Sequence, residues 1–115
     1  FMSLMRLAYQ RNVKELREWA SEVAALGRES ELRFLEYCQR LIRENFIYNL
    51  HITELNYLNR DEAAFSRNFA RFINERNVLQ IADLLDKAAI DIAGNANGKI
   101  VMFDLAVHMI LLLKQ

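Results

Sequence analysis

Asp104 and His108 are the only polar residues in an otherwise apolar run from Ile100 to Leu113. They are four residues apart, so a helix would place their carboxylate and imidazole on one line. Nucleophilic catalysis would also need a nucleophile that the histidine activates and a third group that orients it. The chain has two histidines, few serines and no strained turn to present one. We therefore expect an Asp–His pair at a surface or interface, and no active site in this chain.

The other residues that could bind a metal or cofactor are scattered. His51, His108 and Cys38 are far apart in sequence, whereas a metal site needs clustered ligands. Three separated glycines cannot form a phosphate-binding loop. We expect neither metal nor cofactor, and we expect Cys38 to be a small core residue. A single cysteine also indicates a reducing compartment, most simply the cytoplasm.

Four arginines in the second half of the chain could bind phosphate groups: Arg60, Arg67, Arg71 and Arg76. Arg67 and Arg71 are four residues apart, so a continuous helix would place them on one face beside aromatic residues, an arrangement that can bind nucleic acid. Nearby carboxylates neutralise most of this charge, and the formal net charge is +0. A DNA-binding module therefore remains an alternative, beside a solvated or subunit-facing surface. The remaining carboxylates are expected on outer helix faces, in solvated ion pairs such as Glu36–Arg40.

The elements that must position these residues are predicted to be helices. A chain of 115 residues with no proline and three glycines is typical of a single all-α domain, here residues 1–115. The apolar spacing predicts about five helices in a compact bundle. Their approximate ranges are residues 3–26 with a slip near Asn12, 30–50, a short helix after Asn59, 78–93, and a last helix after Asn97. Residues 51–58 are predicted to be a loop.

Local signals predict where these helices begin and end. Gly27 is expected to end the first helix, and the Gly94-Asn95 pair to end the fourth. Asn97 is expected to cap the last helix. Two capping boxes are predicted at helix starts, Asn59 with Glu62 and Asn77 with Gln80.

The last helix is apolar on nearly all sides, which is typical of a helix buried in a domain or an assembly. It is too short for a membrane span, which needs roughly 18 to 20 residues. Two interpretations stay open: the helix is buried inside this domain, or one side of it, or of the first helix, contacts a neighbouring subunit. The residues expected at such an interface are Tyr9, Phe103, Asp104, His108 and Leu112.

Several stretches resemble one known family. Asn95 and Asn97 match the two asparagines of an Asn-x-Asn-Pro-Arg-Leu motif, with Gly98 at the usual proline position. That motif opens the last helix of the C-terminal collar domains in bacterial DNA polymerase III clamp loaders, in the delta-prime and gamma/tau subunits. Further similar stretches are residues 5–9, 35–38, 42–46 and 72–77. The chain resembles the delta-prime collar domain over nearly its whole length, and gamma/tau remains open.

This resemblance implies a non-catalytic function. In that family five collar domains form a ring that holds the pentamer together, while N-terminal AAA+ modules use ATP to open the sliding clamp and place it on primed DNA. It implies gamma/tau and delta subunits as partners, no membrane contact, only indirect contact with DNA, and a cytoplasmic location at the replisome. Because the chain begins with Phe1, we expect it to be part of a longer polypeptide. The alternative is a helical adaptor or regulatory domain unrelated to replication.

Overall fold

The structure is a computed structural model that describes residues 1–49 and 59–113. Within these ranges the chain is helical and contains no strand, which confirms the all-α prediction. The loop predicted for residues 51–58 lies outside the described ranges. The helices are α1 (Met2–Gln10), α2 (Val13–Ala24), α3 (Arg28–Asn49), α4 (Arg60–Phe69), α5 (Val78–Ala93) and α6 (Gly98–Leu112), with a short 3-10 turn (Ala70–Phe72) after α4.

The first predicted helix is divided in two at the slip near Asn12. Arg11 has a left-handed backbone, φ 58°, and the N–H groups of Arg11 and Asn12 donate back to the carbonyls of Ala8 and Leu7. These bonds close α1 in the usual manner of a helix C-terminus. The Asn12 side chain then accepts from the backbone N–H of Glu15 at 3.2 Å and starts α2.

The capping box predicted at Asn59 is confirmed. Asn59 Oδ1 accepts from the Glu62 N–H at 2.8 Å, and Glu62 Oε1 accepts from the Asn59 N–H at 3.2 Å. Gly27, with φ 94°, separates α2 from α3 as predicted.

The capping box predicted for Asn77 and Gln80 is wrong. Asn77 has helical backbone angles and makes no side-chain cap for α5. Its amide is fully buried and instead donates to the carbonyls of Phe72 and Leu112 at 2.8 and 2.9 Å, while its oxygen accepts from the Asn74 N–H at 2.9 Å. Asn77 bonds to these groups and does not cap α5 because the Phe72 and Leu112 carbonyls would otherwise lack hydrogen-bond partners.

Helix α6 packs against α1, α2 and α5, and α3 packs on the other side of α5. The inner side of α6 is buried through Met102, Leu105, Ala106 and Met109. The surrounding helices contribute further fully buried side chains, among them Leu4, Leu16, Leu35, Ile81 and Leu85. None of the helices in the described ranges combines the length and apolar character needed to cross a membrane.

Candidate interaction surfaces

The asparagine motif before α6 forms the junction between α5 and α6. Asn95 has φ 69°, so the left-handed residue after α5 is the asparagine and not Gly94. Asn97 Oδ1 accepts from the Ile100 N–H at 3.2 Å, which confirms its predicted role as the cap of α6.

The Glu31 side chain of α3 lies directly against Gly98. A Cβ atom added to Gly98 would lie 2.5 Å from one carboxylate oxygen of Glu31, too close for real atoms. Glu31 is 4% exposed, and its Oε2 accepts no hydrogen bond from the described residues. Burial raises the pKa of Glu31, against the opposing effect of Arg28. Glycine at position 98 therefore leaves room for the carboxylate beside the first turn of α6.

The carboxylates were expected on outer helix faces, and this expectation is wrong for three of them. Glu31, Glu44 and Glu62 are each at most 4% exposed. Sequence spacing identifies the inner face of a helix but not the polar groups that a neighbouring helix brings to it. The predicted capping box identifies the contact of Glu62 with the Asn59 N–H but not its burial against α3.

Glu62 joins α4 to α3. Its Oε2 accepts from the Tyr37 hydroxyl at 2.6 Å and from the Arg40 guanidinium at 2.8 Å. Arg40 was predicted to pair with Glu36 on its own helix. In the structure its guanidinium contacts Glu62 of α4. Burial alone would raise the pKa of Glu62, but hydrogen bonds from Tyr37, the Asn59 backbone and Arg40 together lower it. Burial and the Glu62 hydrogen bond raise the pKa of Tyr37 to about 12.

Four of the five predicted interface residues lie on α6. The Asp104 and His108 side chains are 60% and 53% exposed, with His108 Nδ1 3.4 Å from Asp104 Oδ1 and 2.9 Å from the Asp104 carbonyl oxygen. A carbonyl oxygen only accepts, so Nδ1 carries the proton in that contact. Phe103 and Leu112 are half-buried, and the Arg17 guanidinium of α2 lies over the Phe103 ring at 5.5 Å.

Helices α5 and α6 each carry exposed aliphatic side chains on lines that also bear charged residues. Four large aliphatic side chains on these helices are between 58% and 74% exposed: Leu79, Ile90, Ile100 and Leu111. On α5, Leu79 and Ile90 follow the same exposed line as Asp83 and Asp86, and on α6 Ile100 and Leu111 follow the line of Asp104. We call these four aliphatic residues, with Asp104 and His108, the outer α5–α6 surface.

Tyr9, the fifth predicted interface residue, lies elsewhere. Its side chain is 59% exposed, and its ring centroid is 4.9 Å from that of Phe72. It lines two adjoining cavities that also share Arg71 and Phe72. The predicted interface residues therefore fall on two separate surfaces of the molecule.

The predicted shared helix face of Arg67 and Arg71 is not formed. Helix α4 ends at Phe69, so Arg71 lies in the 3-10 turn, with its guanidinium carbon 5.0 Å from the Phe72 ring centroid. On α1, Arg6 lies over the Phe65 ring at 5.7 Å. Together Arg6, Tyr9, Phe65, Arg71 and Phe72 define what we call the arginine–aromatic groove.

The remaining reactive groups offer little chemistry in the described part of the chain. No group of three histidine, cysteine or acidic side chains there is placed to hold a metal ion. Cys38 is fully buried, and burial raises its pKa to about 12, so the thiol stays protonated near neutral pH. A scan against protein-family models, a search of curated proteins and a search of solved structures each found no match to this chain.

Proposed function

We propose that this chain is a non-catalytic subunit-assembly domain of the clamp-loader collar type, most similar to that of delta prime. The observation that carries the proposal is the outer α5–α6 surface, where four large aliphatic side chains remain exposed although the domain core is filled. Covering each of them would contribute about 1 to 2 kcal/mol. The resemblance of the α6 motif and four further stretches to collar domains supports the same function.

The physical logic of such a domain is that side-by-side packing of rigid helices fixes the positions of neighbouring subunits. Asp104 and His108 lie among the aliphatic residues and offer a charge and a hydrogen-bonding group at the edge of the contact. Polar groups of this kind set the register of an interface more than its strength. The partners proposed are the collar domains of gamma/tau and delta, and the ATP-dependent steps would take place in other modules of the complex.

Light scattering after size exclusion tests the assembly function. The chain is measured alone and then mixed with the C-terminal domains of gamma/tau and delta, and we expect a stable mixed complex. Replacement Leu111→Ser should weaken that complex by about tenfold or more, since it removes apolar surface from the contact. Failure to form any mixed complex at high micromolar concentration would favour the adaptor alternative.

Leu26→Ser is the matched control. Leu26 and Leu111 are 64% and 58% exposed. Both substitutions therefore replace an exposed leucine with serine and should change the free energy of unfolding by similar amounts. Leu26 follows α2 and is not one of the residues of the outer α5–α6 surface. Equal loss of assembly in the two variants, or assembly unaffected by Leu111→Ser, would count against this surface as the interface.

A further inference from the structure

The arginine–aromatic groove is a second binding surface, distinct from the outer α5–α6 surface. It consists of one cavity of about 490 Å³ between α1 and α4 and an adjoining one of about 450 Å³ that extends towards Ile110 of α6 and Leu113, the residue after α6. Met5 and Phe69 contribute to its floor. The two cavities lie side by side and share Tyr9, Arg71 and Phe72 as lining residues.

The side chains that line this groove carry more positive than negative charge. Three arginines line it, Arg6, Arg11 and Arg71, against a single carboxylate among the described lining residues, Asp61. No carboxylate of the described chain lies within ion-pair distance of Arg6 or Arg71. Their guanidinium groups are instead held over aromatic rings, an arrangement that leaves their N–H edges free to bind a carboxylate in a bidentate manner.

We propose that the arginine–aromatic groove binds an extended acidic peptide segment of a partner protein that carries a leucine or phenylalanine anchor. The carboxylates would pair with Arg6 and Arg71, and the anchor would pack on the apolar floor beside Phe69. Asn68, which also lines the groove, offers an amide to the peptide backbone. The inference does not rest on the proposed collar function, because a different surface carries it.

A peptide fits this groove better than a nucleic acid strand does. Single-stranded nucleic acid needs several open aromatic faces, one for each stacked base. Here Phe69 is buried, and the Phe65 ring is already stacked on Phe69 at 4.9 Å and covered by Arg6. Tyr9 is the most exposed ring of the groove, so the groove offers one open aromatic face where a bound strand would need several.

Two-dimensional amide NMR spectra of the chain, titrated with the synthetic peptide acetyl-Asp-Glu-Asp-Leu-Phe-Asp-Glu-Asp-amide, test the proposal. We expect shift changes confined to amides around Arg6, Tyr9 and Arg71. Arg71→Glu should lower the affinity about tenfold or more, because an attractive charge-assisted contact becomes repulsive. Arg67→Glu is the matched control, since Arg67 is an exposed arginine of α4 that does not line the groove, and it should change the affinity less than about threefold.

Two further probes make the result specific. The same peptide with Asn and Gln in place of its acidic residues should bind at least about tenfold more weakly. Circular dichroism of both variants establishes that they remain folded. Scattered shifts, equal effects of Arg71→Glu and Arg67→Glu, or tighter binding of a short oligothymidylate than of the peptide at these residues would overturn the proposal.

Discussion

At the scale of single residues, the contacts of Glu62 show how one carboxylate serves two purposes. It completes the capping box of α4 and also accepts from Tyr37 and Arg40 on α3. Both purposes need the ionised form, since a protonated acid would lose an acceptor site and the attraction to Arg40. The charge state of this one side chain therefore couples the start of α4 to the middle of α3.

Acid should destabilise the protein partly through Glu62. Its pKa is lowered in the folded state, so its contribution is complete above the ordinary glutamate pKa of about 4.3 and is lost as the pH falls through the lower folded value. Glu62→Gln should cost about 1 to 2 kcal/mol near neutral pH and give a shallower loss of stability between about pH 5 and about pH 3. Thermal unfolding followed by circular dichroism at each pH measures both effects.

Glu29→Gln is the control for this measurement. The Glu29 carboxylate is 88% exposed beside Arg33, so its removal should leave the acid slope of the wild type unchanged. If Glu62→Gln and the wild type lost stability with the same slope, the ionised Glu62 would not be the group responsible.

At the scale of the elements, Asn77 joins parts of the chain that are distant in sequence. Its amide bonds to the end of the 3-10 turn and, 35 residues away, to the Leu112 carbonyl at the last turn of α6. The last carbonyls of a helix have no partners within the helix. Asn77 thus closes α6 from outside and fixes it to the turn before α5.

Asn77→Ala should lower the free energy of unfolding by about 2 to 4 kcal/mol, because buried backbone groups lose their partners. Urea unfolding measures the loss, and hydrogen exchange should show faster exchange at the C-terminal end of α6. Asn68→Ala, at an exposed asparagine of α4, should cost less than about 0.5 kcal/mol. Similar costs for the two variants would mean that the Asn77 hydrogen bonds do not stabilise the fold.

Asn77 also shows what the sequence can and cannot predict. The caps at Asn59 and Asn97 are predictable because each contacts a backbone group three residues away. The Asn77 contacts are not, because the Leu112 carbonyl comes near only after α5 and α6 have packed. The burial of Glu31 cannot be predicted for the same reason. The arginine–aromatic groove depends on α4 ending at Phe69, and the apolar periodicity of the sequence does not indicate that end.

At the scale of the whole molecule, Cys38 reports on opening of the core. Its thiol is fully buried among residues of the main apolar cluster and has a pKa of about 12. Reaction with a thiol reagent therefore requires the core to open, and an opening free energy of about 5 kcal/mol or more makes this at least a thousandfold slower than in the unfolded chain.

Labelling with a chromogenic disulfide reagent near pH 8 measures this protection. In the variant Ser3→Cys, which adds a thiol at an exposed position of α1, we expect one fast and one slow reaction in the same molecule. Two fast reactions would show that the core around Cys38 opens readily and that the domain is far less rigid than an assembly scaffold requires.

The contact between Glu31 and Gly98 has a consequence for how this sequence can change. Any side chain at position 98 requires the Glu31 carboxylate to leave its place, because the first added carbon already overlaps with it. The two positions are 67 residues apart in the numbering and belong to different helices. A proline at position 98 therefore requires either a shift of the Glu31 carboxylate or a different residue at position 31, so substitutions at the two positions affect each other.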